Sequence, residues 1–297
     1  MEAKLDCELD VTTDNRADGP ESRLDPRNRL NDLTATEWIA ETVSVFTQKG
    51  LGQNHPDAQI EKQHPAPFSF QDVARLIRFF TKQGGKVLDP FCGVASTLKA
   101  CALTGRRGVG IELNERYVEL GNLRLRSELE PSLFSLAEQR IIHGDALHAI
   151  DEFQTGEFDF LVTSPPYWNI LHKVDHKARQ ERIRNGLDSS YGAHPADLGN
   201  IGAYDEFVDV LGGFFDRVAR VLRPKSYVCV VVSDFRHKDR FFMFHADLAQ
   251  RMEERLFHLK GITVLYQNRK RVFPYGYPFA YVPNVHHQYI LIMQKRS

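Results

Sequence analysis

The segment TSPPYW, residues 163–168, places a hydroxyl side chain, two prolines and two aromatic rings close together. Proline lacks a backbone N–H and fixes its own φ, so two adjacent prolines would disrupt a helix or a central strand. We therefore predict a stiff turn directly after a regular element. In such a turn Ser164 Oγ and the Pro165 carbonyl are two hydrogen-bond acceptors at fixed positions, and Tyr167 offers a stacking surface beside them.

Three acidic residues follow β-rich runs upstream of this turn. Asp89 precedes a tight turn at Gly93, after which small residues open a helix. Glu112 comes about twenty residues later, where a carboxylate can accept hydrogen bonds from both hydroxyls of a ribose. Asp145 can accept from the exocyclic amine of a purine; Glu112 and Asp145 can equally belong to the first turns of the helices that follow. No complete G-x-G-x-x-G pattern occurs, so the set indicates a pocket for an adenosine without phosphates.

From Lys86 onward, short β-rich runs alternate with helical runs. This alternation predicts an α/β fold, doubly wound, with a mostly parallel sheet and helices on both faces. Ligands of such sheets bind at the carboxyl ends of the strands, which is where the acidic residues and the TSPPYW turn fall. The β-rich runs are KVLDP, GVGIEL, RIIHGD, FDFLV, YVCVVVSD, GITVLYQ and HQYILIMQK.

Two helices are predicted before this alternation. Thr34 or Thr36 is predicted to cap the first. Its apolar residues at helical spacing are Trp38, Ile39, Val43 and Phe46. The second is amphipathic and ends at a pair of glycines, residues 84–85. Its predicted inward residues are Val73, Leu76, Ile77 and Phe80.

The composition fits a globular enzyme. The chain has 297 residues, 42% of them hydrophobic, which suffices for one large α/β domain with additions. Its four cysteines show neither CxxC pairing nor zinc-type spacing, and no apolar run resembles a signal peptide or a membrane span. These features predict a soluble cytoplasmic protein with no metal site and no membrane partner. Residues 1–65 carry a net charge of −6 and the remainder +5, so a mildly basic body follows an acidic leader.

The runs VLDPFCGVAST, GIEL, HGDA and TSPPYW resemble the motif series of S-adenosylmethionine-dependent DNA amino-methyltransferases, which methylate exocyclic nitrogens of cytosine or adenine. HPAPFSFQDVARLI resembles the cofactor-capping segment of that family, and NDLTATEW the leader of such modification enzymes. The resemblance extends from about Asn31 to Lys295. It implies a seven-stranded Rossmann-like sheet with an antiparallel last strand, and S-adenosyl-L-methionine as the cofactor.

The resemblance also implies a cofactor site. Its expected residues are Pro65, Phe68, Asp89, Phe91, Gly93, Ser96, Thr97, Glu112, Leu113, Asp145 and Ala146. The sequence departs from the family pattern in two places. Ala95 and Ser96 stand where Gly and Thr are frequent, and both are small enough to keep the turn. His287 and Gln288 stand where a His-Glu pair is common, which leaves the role of Gln288 open.

The amino-methylation reaction explains the chemistry of the turn. An exocyclic amine is a poor nucleophile because its lone pair is delocalised into the base ring. Two acceptors that bind both amine hydrogens favour the pyramidal form, whose lone pair can attack a methyl group directly. The predicted catalytic residues are Ser164, Pro165, Pro166 and Tyr167, with Tyr167 stacked on a base rotated out of the duplex. Methylation at carbon 5 of cytosine would require a nucleophilic cysteine in a Pro-Cys pair, which is absent.

The target base is predicted from the first residue of the motif. A serine there resembles cytosine-N4 enzymes, whereas an aspartate or asparagine is usual in adenine-N6 enzymes. We therefore expect cytosine N4, with adenine N6 as the alternative. A guanine-N2 methyltransferase of RNA would share the pocket and the Pro-Pro-aromatic turn, but no added RNA-binding module is evident. A catalytically inactive nucleic-acid-binding relative is a further alternative, disfavoured by the intact motif residues.

Double-stranded DNA is the expected partner. Basic and aromatic residues outside the core motifs are predicted to contact it, namely Trp168, Lys173, Lys177, Arg179, Arg182, Arg184, Arg236, Arg269, Lys270 and Arg271. Modification enzymes can be accompanied by a cognate restriction endonuclease, which is therefore a candidate partner; the oligomeric state is left open. We expect a flexible acidic leader over 1–30 and one methyltransferase domain over 31–297. Within it, 31–150 would bind the cofactor, 151–297 would carry catalysis and DNA contacts, and 169–200 would be a DNA-contact insertion.

Overall fold

The computed structural model describes residues 23–51, 55–64, 69–129, 136–168 and 196–297. Its strands in these ranges are β1 (Val45–Thr47), β2 (Lys86–Asp89), β3 (Arg107–Glu112), β4 (Gln139–His143), β5 (Phe158–Thr163), β6 (Leu222–Val232), β7 (Phe235–His237), β8 (Arg240–Phe242), β9 (Phe257–Tyr266) and β10 (His287–Lys295). Its α-helices there are α1 (Ala35–Glu41), α2 (Ala58–Glu61), α3 (Phe70–Phe80), α4 (Ser96–Leu103), α5 (Glu115–Glu128), α6 (Ala146–Ala149), α7 (Tyr204–Val221) and α8 (Phe244–Glu253). Short 3-10 turns cover Leu136–Glu138, Ile150–Glu152 and Leu198–Asn200.

A mixed sheet forms the centre of the fold, in the order β1-β9-β10-β6-β5-β2-β3-β4. Strand β10 runs antiparallel to both of its neighbours, β6 and β9, and the other pairings are parallel. The predicted α/β class, the largely parallel sheet and the antiparallel last strand are confirmed. The carboxyl ends of β2, β3, β4, β5, β6 and β9 consequently lie along one edge of the sheet.

The predicted number of strands is wrong, because the sheet has eight strands rather than seven. The additional strand is β1, whose three residues pair in parallel with Val264–Tyr266 of β9. Three residues are too short to show a strand period, and this pairing joins segments more than two hundred residues apart. A separate antiparallel hairpin, β7 and β8, follows β6.

The first predicted helix is shorter than its apolar spacing suggested. Thr34 caps α1 as predicted, in a capping box with Glu37. The helix ends at Glu41 and buries no residue, and Ile39 is 69% exposed. Val43 lies in the chain that leads into β1 and Phe46 lies in β1 itself, so part of the spacing interpreted as helical came from a strand.

Hydrophobic clusters cover both faces of the sheet, as a doubly wound fold requires. On one face α7 and α8 pack through buried side chains such as Phe207, Phe214 and Leu248. On the other face α3 and α4 pack against β2, β5 and β6. The four predicted inward residues of α3 are all buried. Both packing layers hold the carboxyl edge of the sheet in place.

The predicted leader and insertion lie largely outside the described residues, which omit 1–22 and 169–195. The end of the leader already contacts the domain, since Leu30 packs against the cluster around α3. Asn31 Nδ2 donates a 2.6 Å hydrogen bond to the Phe79 carbonyl. In the described ranges, no helix combines the length and apolar character needed to cross a membrane.

Candidate active site

A cavity of about 480 Å³ opens at the carboxyl ends of β2, β3, β4 and β5. Ten residues predicted from the sequence line it, namely Asp89, Phe91, Gly93, Ser96, Glu112, Leu113, Asp145, Ala146, Ser164 and Pro166. The cofactor turn and the catalytic turn therefore face one space, although the sequence separates them by more than seventy residues. Thr97, Pro165 and Tyr167 lie beside the cavity rather than in its wall.

Several lining residues were missed by sequence reasoning. They include His64, Asn114, Glu115, His143, Asp197 and Leu198. His64 directly precedes the predicted capping residues Pro65 and Phe68, which lie outside the described residues, so its position in that segment was a usable signal. Asp197 and Leu198 come from the second half of the chain and carry no motif that would indicate this placement.

Asp89 lines the cavity, and its carboxylate accepts three hydrogen bonds. Its Oδ1 accepts hydrogen bonds from Thr163 Oγ1 at 2.6 Å and from the Phe91 amide at 3.2 Å, and its Oδ2 accepts from Thr97 Oγ1. Burial raises the pKa of Asp89 to about 6, while these three donors act in the opposite direction. Asp89 thus connects the cofactor turn to the strand that leads into TSPPYW.

The backbone of the cofactor turn adopts positive φ at two positions. Gly93 has φ +50°, and a Cβ there would lie 3.1 Å from His64 Nε2, so glycine lets His64 approach the turn. Ala95 has φ 64° at the start of α4, a left-handed conformation that favours glycine. The turn therefore forms with alanine at this position, as predicted, and the helix begins after a residue with strained backbone geometry.

Glu112 forms the cavity wall at the end of β3. Its Oε2 accepts from the Gly93 amide at 2.9 Å and its Oε1 from the Asn114 amide at 2.8 Å. Burial raises the pKa of Glu112 to about 7, although both amides act in the opposite direction. Each oxygen can still accept a second hydrogen bond, so a diol at this wall would find a carboxylate already held in place.

Asp145 lies at the end of β4 and caps α6. Its Oδ1 accepts from the Leu147 amide at 2.9 Å, and its Oδ2 lies 2.8 Å from His148 Nδ1. The helix-capping role considered from the sequence is therefore present. The same side chain lines the cavity, so capping and ligand contact are compatible at this position.

The catalytic turn is anchored by hydrogen bonds on both sides. Ser164 Oγ donates to the Val231 carbonyl at 3.0 Å, so its hydroxyl hydrogen points into the sheet and its oxygen keeps acceptor capacity. Gln288 Nε2 donates to the Tyr167 hydroxyl at 3.1 Å. Burial raises the pKa of Tyr167, and hydrogen bonds with Gln288 and Ser164 partly offset this. Gln288, whose role was open, thus holds the Tyr167 hydroxyl in place.

A second polar group lies next to this turn and was not predicted. Asp234 follows β6 and its Oδ1 is 2.7 Å from His245 Nδ1. The His245 ring stacks on Tyr289 with centroids 3.8 Å apart, and Tyr289 pairs with Val232. These residues come from three separate elements, so only the folded sheet brings them together.

A buried charge network fixes the segment that carries His64. Lys99 Nζ contacts Asp57 and Glu128, each at 2.7 Å. Arg124 bonds Glu61 at 2.7 Å, Glu128 at 3.0 Å and Ser96 Oγ at 2.8 Å. Ser96, expected at the cofactor site, therefore receives a hydrogen bond from Arg124 behind the cavity wall. The network attaches α2 to α4 and α5.

The predicted DNA-contact residues have different fates. Trp168 is only 6% exposed, and its Nε1 donates to the Ile201 carbonyl at 2.8 Å within an aromatic cluster with Tyr204, Phe235 and Phe242. We correct its assignment from DNA contact to packing, because a ring so enclosed offers no surface to a duplex. Arg236, Arg269, Lys270 and Arg271 are exposed. Lys173, Lys177, Arg179, Arg182 and Arg184 lie outside the described residues.

The cavity suits an adenosine-containing cofactor without a diphosphate. Its volume falls in the usual range for small-molecule sites. Glu112 and Asp145 supply acceptors for hydroxyl and amine hydrogens, and no Lys or Arg occurs among the described residues that line the cavity. A diphosphate would require cationic or glycine-rich partners here, whereas an uncharged ribose does not.

Part of the chain is similar to known DNA methylases. Residues 19–123 match the family model of N6/N4 methyltransferases described as DNA methylase. The type II methyltransferase M.MthZI of Methanothermobacter thermautotrophicus is 29% identical over 96 residues, which are 32% of this chain and 26% of that relative. M.ScaI of Streptomyces caespitosus is 38% identical over 71 residues, 24% of this chain and 23% of that relative.

A longer match is to an enzyme that acts on tRNA. The tRNA (guanine(10)-N2)-dimethyltransferase of Pyrococcus abyssi is 25% identical over 202 residues, 64% of this chain and 58% of that relative.

Among solved structures, TrmN of Thermus thermophilus is 17% identical, covers 84% of this chain and 55% of that chain, and has a TM-score of 0.49.

The matched region spans from about a quarter to somewhat over half of the length of these curated relatives. The substrate and the activity of the whole protein therefore belong to the proposal below. At the level of class, residues 19–123 and the matched relatives are similar to amino-methyltransferases of the N6/N4 DNA methylase type. The predicted cofactor, S-adenosylmethionine, is confirmed.

Proposed function

We propose that this chain transfers a methyl group from S-adenosylmethionine to the exocyclic N4 of cytosine in double-stranded DNA. The observation that carries the proposal is the position of Ser164, which lines the same cavity as Glu112 and Asp145. Its hydroxyl hydrogen is engaged by the Val231 carbonyl. The acceptor proposed for catalysis, Ser164, and the carboxylates proposed to bind the cofactor therefore line one cavity.

Each residue of the cavity has a proposed task. Glu112 would hold the ribose hydroxyls and Asp145 the adenine amine, while the turn around Gly93 would receive the remainder of the cofactor. The bound cofactor supplies a methyl group on a positively charged sulfur. The carboxylates that line the cavity would favour such a positive charge, and no described lining residue is a lysine or arginine that would repel it.

Ser164 and the Pro165 carbonyl would bind the two hydrogens of the target amine. This removes the amine lone pair from conjugation with the ring and directs it toward the methyl group. The amine nitrogen would form its new bond to the methyl carbon while the carbon–sulfur bond breaks with its electron pair left on sulfur, and the proton that the amine then loses would pass to solvent. Tyr167, held by Gln288, would stack on the base after it has rotated out of the duplex.

Cytosine N4 is favoured over adenine N6 by the serine at the first motif position. Arg236, Arg269, Lys270 and Arg271 would contribute to phosphate contacts, because they are exposed and follow strands that end at the catalytic edge. The basic stretch 172–186 is proposed for the same role. A cognate restriction endonuclease is a candidate partner, since the relatives of this chain include type II methyltransferases.

A second candidate is guanine-N2 methylation of RNA. The observation that favours it is the alignment with the Pyrococcus abyssi tRNA enzyme, which is longer than those with the type II methyltransferases above. The amine chemistry of the turn would be the same for either substrate.

One experiment separates these candidates. Purified protein is incubated with labelled S-adenosylmethionine and either mixed-sequence duplex DNA or total tRNA, and the nucleosides are identified by mass spectrometry. Label on N4-methyldeoxycytidine supports the proposal. Label on N6-methyldeoxyadenosine would show that adenine, not cytosine, is the target base, and label on RNA alone would favour the second candidate. The Ser164→Ala variant is the control for contaminating methyltransferases.

A further inference from the structure

The connection between β9 and β10, residues 267–286, exposes an unusual amount of aromatic surface. Its aromatic residues alternate along the chain at 273, 275, 277, 279 and 281. Tyr277 is 81% exposed, Phe279 94% and Tyr281 88%. In the described ranges, six of the sixteen exposed large hydrophobic side chains lie within 272–281. A concentration of this kind indicates a binding surface rather than chance exposure.

The loop has a defined shape. Asn284 Oδ1 accepts from the Phe273 amide at 2.9 Å, and its Nδ2 donates to the Phe273 carbonyl at 2.8 Å. The Phe279 and Ala280 amides both donate to the Gly276 carbonyl, at 2.7 and 2.8 Å. A Cβ at Gly276 would lie 2.2 Å from the Ala280 carbonyl oxygen, so the turn requires glycine. These bonds hold the loop in a form that presents its aromatic rings to solvent.

The base of the loop is connected to the catalytic turn. The Gln267 amide donates to the His286 carbonyl at 2.7 Å and closes the loop. Gln267 Nε2 also contacts Gln288 Oε1 at 3.4 Å, and Gln288 in turn bonds the Tyr167 hydroxyl. Because β9 runs parallel to β5 and β6, the loop leaves the sheet at the edge where Ser164 lies.

The positive charge at the start of the loop indicates which kind of partner its aromatic surface binds. Arg269, Lys270 and Arg271 begin the loop. Arg269 donates to the Gly50 carbonyl at 3.4 Å and Lys270 to Gln267 Oε1 at 3.5 Å, and within the described part of the chain none of the three pairs with a carboxylate. Cations beside exposed aromatic rings suit a polyanion with planar rings, which is a nucleic acid. A hydrophobic protein partner would not require three adjacent cations at the margin.

We propose that loop 267–286 is a base-stacking finger, in which Phe279, with Tyr277 and Tyr281, occupies the space left by the target base and stacks on its neighbours. The inference rests on the proposed function. The cations at 269–271 would hold the phosphates of the same strand. Opening a base pair costs stacking and pairing energy, and a ring inserted into the gap would offset part of that cost.

The test compares paired and pre-opened substrates. The site methylated by the wild type in mixed-sequence DNA is first located by sequencing. Two short duplexes are then made, one fully paired and one with an abasic position opposite the target base. Single-turnover methylation rates are measured for the wild type, Phe279→Ala, Phe279→Trp and the control Leu123→Ala, which alters an exposed apolar residue on α5.

Phe279→Ala is expected to methylate the paired duplex about 5- to 150-fold more slowly than the wild type, the range for loss of one stacked base. On the abasic duplex its rate should return to within about threefold of the wild type. Phe279→Trp should retain the wild-type rate on both duplexes, as should Leu123→Ala. Because Phe279 is almost fully exposed, its replacement should leave thermal unfolding unchanged.

Equal rates for Phe279→Ala and the wild type on the paired duplex would overturn the finger, as would an equal loss on both duplexes. A lower molar mass for the triple variant at 277, 279 and 281 in the absence of DNA would also overturn it, because the loop would then join copies of this chain. Absence of methylation by the wild type would instead contradict the proposed function. Binding of wild type and Phe279→Ala to labelled mixed-sequence duplex tests the finger without methyl transfer, and affinities within about twofold would count against it.

Discussion

The Thr163 hydroxyl donates a 2.6 Å hydrogen bond to the carboxylate of Asp89. Thr163 is the last residue of β5, directly before the catalytic turn, and Asp89 is the last residue of β2, directly before the cofactor turn. The two halves of the candidate site are therefore joined by one buried contact between neighbouring strands. Movement of either strand end would change both halves together.

Thr163→Val should destabilise the fold in a pH-dependent way. It leaves one Asp89 oxygen short of a buried donor, which costs about 1–3 kcal/mol. Burial already raises the pKa of Asp89 to about 6, so stability is greatest when the group is protonated and declines as pH rises through 6. In urea unfolding, the free energy of unfolding of the variant should fall further below that of the wild type at pH 8 than at pH 5. Thr163→Ser, which keeps the hydroxyl, should follow the wild type; a loss independent of pH would assign the effect to packing.

Ser164→Ala should separate methyl transfer from cofactor binding. The serine supplies an acceptor to the amine, and we expect turnover to decrease by about 100-fold or more. The cofactor dissociation constant should stay within about twofold, because Ser164 makes no proposed contact with it. Single-turnover rates and calorimetric titration give the two values. Ser233→Ala serves as a control, and wild-type turnover in Ser164→Ala would exclude the proposed mechanism.

Cofactor affinity should increase between pH 6 and pH 8. The pKa of Glu112 is raised to about 7 by burial, so the ionised form that accepts from both ribose hydroxyls predominates only above that pH. Below it, binding should be accompanied by proton release, which titrations in buffers of different ionisation enthalpy detect. Glu112→Gln should bind more weakly and with a flat pH profile. A wild-type affinity that does not change over this range would contradict the role of Glu112.

Gln288→Leu and Tyr167→Phe should be non-additive. Each removes one partner of the 3.1 Å bond between Gln288 Nε2 and the Tyr167 hydroxyl. Each is expected to lower turnover by about 5- to 10-fold through a less fixed ring, and the double variant should be little worse than either single one. Tyr167→Ala should lose more, because it also removes the stacking surface. Independent, multiplying losses would show that the contact does not connect the two residues functionally.

Arg124→Met should lower the free energy of unfolding by about 3–5 kcal/mol, since it leaves Glu61 without its buried partner and takes one of two cations from Glu128, which keeps Lys99. Because the same network holds the segment with His64, cofactor affinity should also decrease. Denaturant unfolding and cofactor titration measure the two effects. Arg116→Met, on the exposed side of α5, is the matched control. An unchanged cofactor affinity would separate the network from the cavity.

Much of this arrangement follows from local sequence. The order of strands and helices from Lys86 onward is set by periodicity, and carboxyl strand ends place Asp89, Glu112, Asp145 and Ser164 at one edge. Strand β1 could not be predicted this way, because it pairs with a strand more than two hundred residues away. Asp234 and His245 are only 11 residues apart, but their contact depends on the β7–β8 hairpin that lies between them. Trp168 was misassigned for a related reason, since an aromatic residue next to a catalytic motif can equally belong to the core.

The Ser164 hydroxyl is anchored by the main-chain oxygen of Val231, an atom that every amino acid supplies. Substitution of the Val231 side chain therefore leaves the acceptor itself in place. What specifies the anchor is the register of β6, which aligns Val230 with Thr163 on one side and Val231 with Ile290 on the other. Mutational drift at this position is tolerated as far as strand alignment is kept, whereas a shift of one residue would present a different carbonyl to the serine.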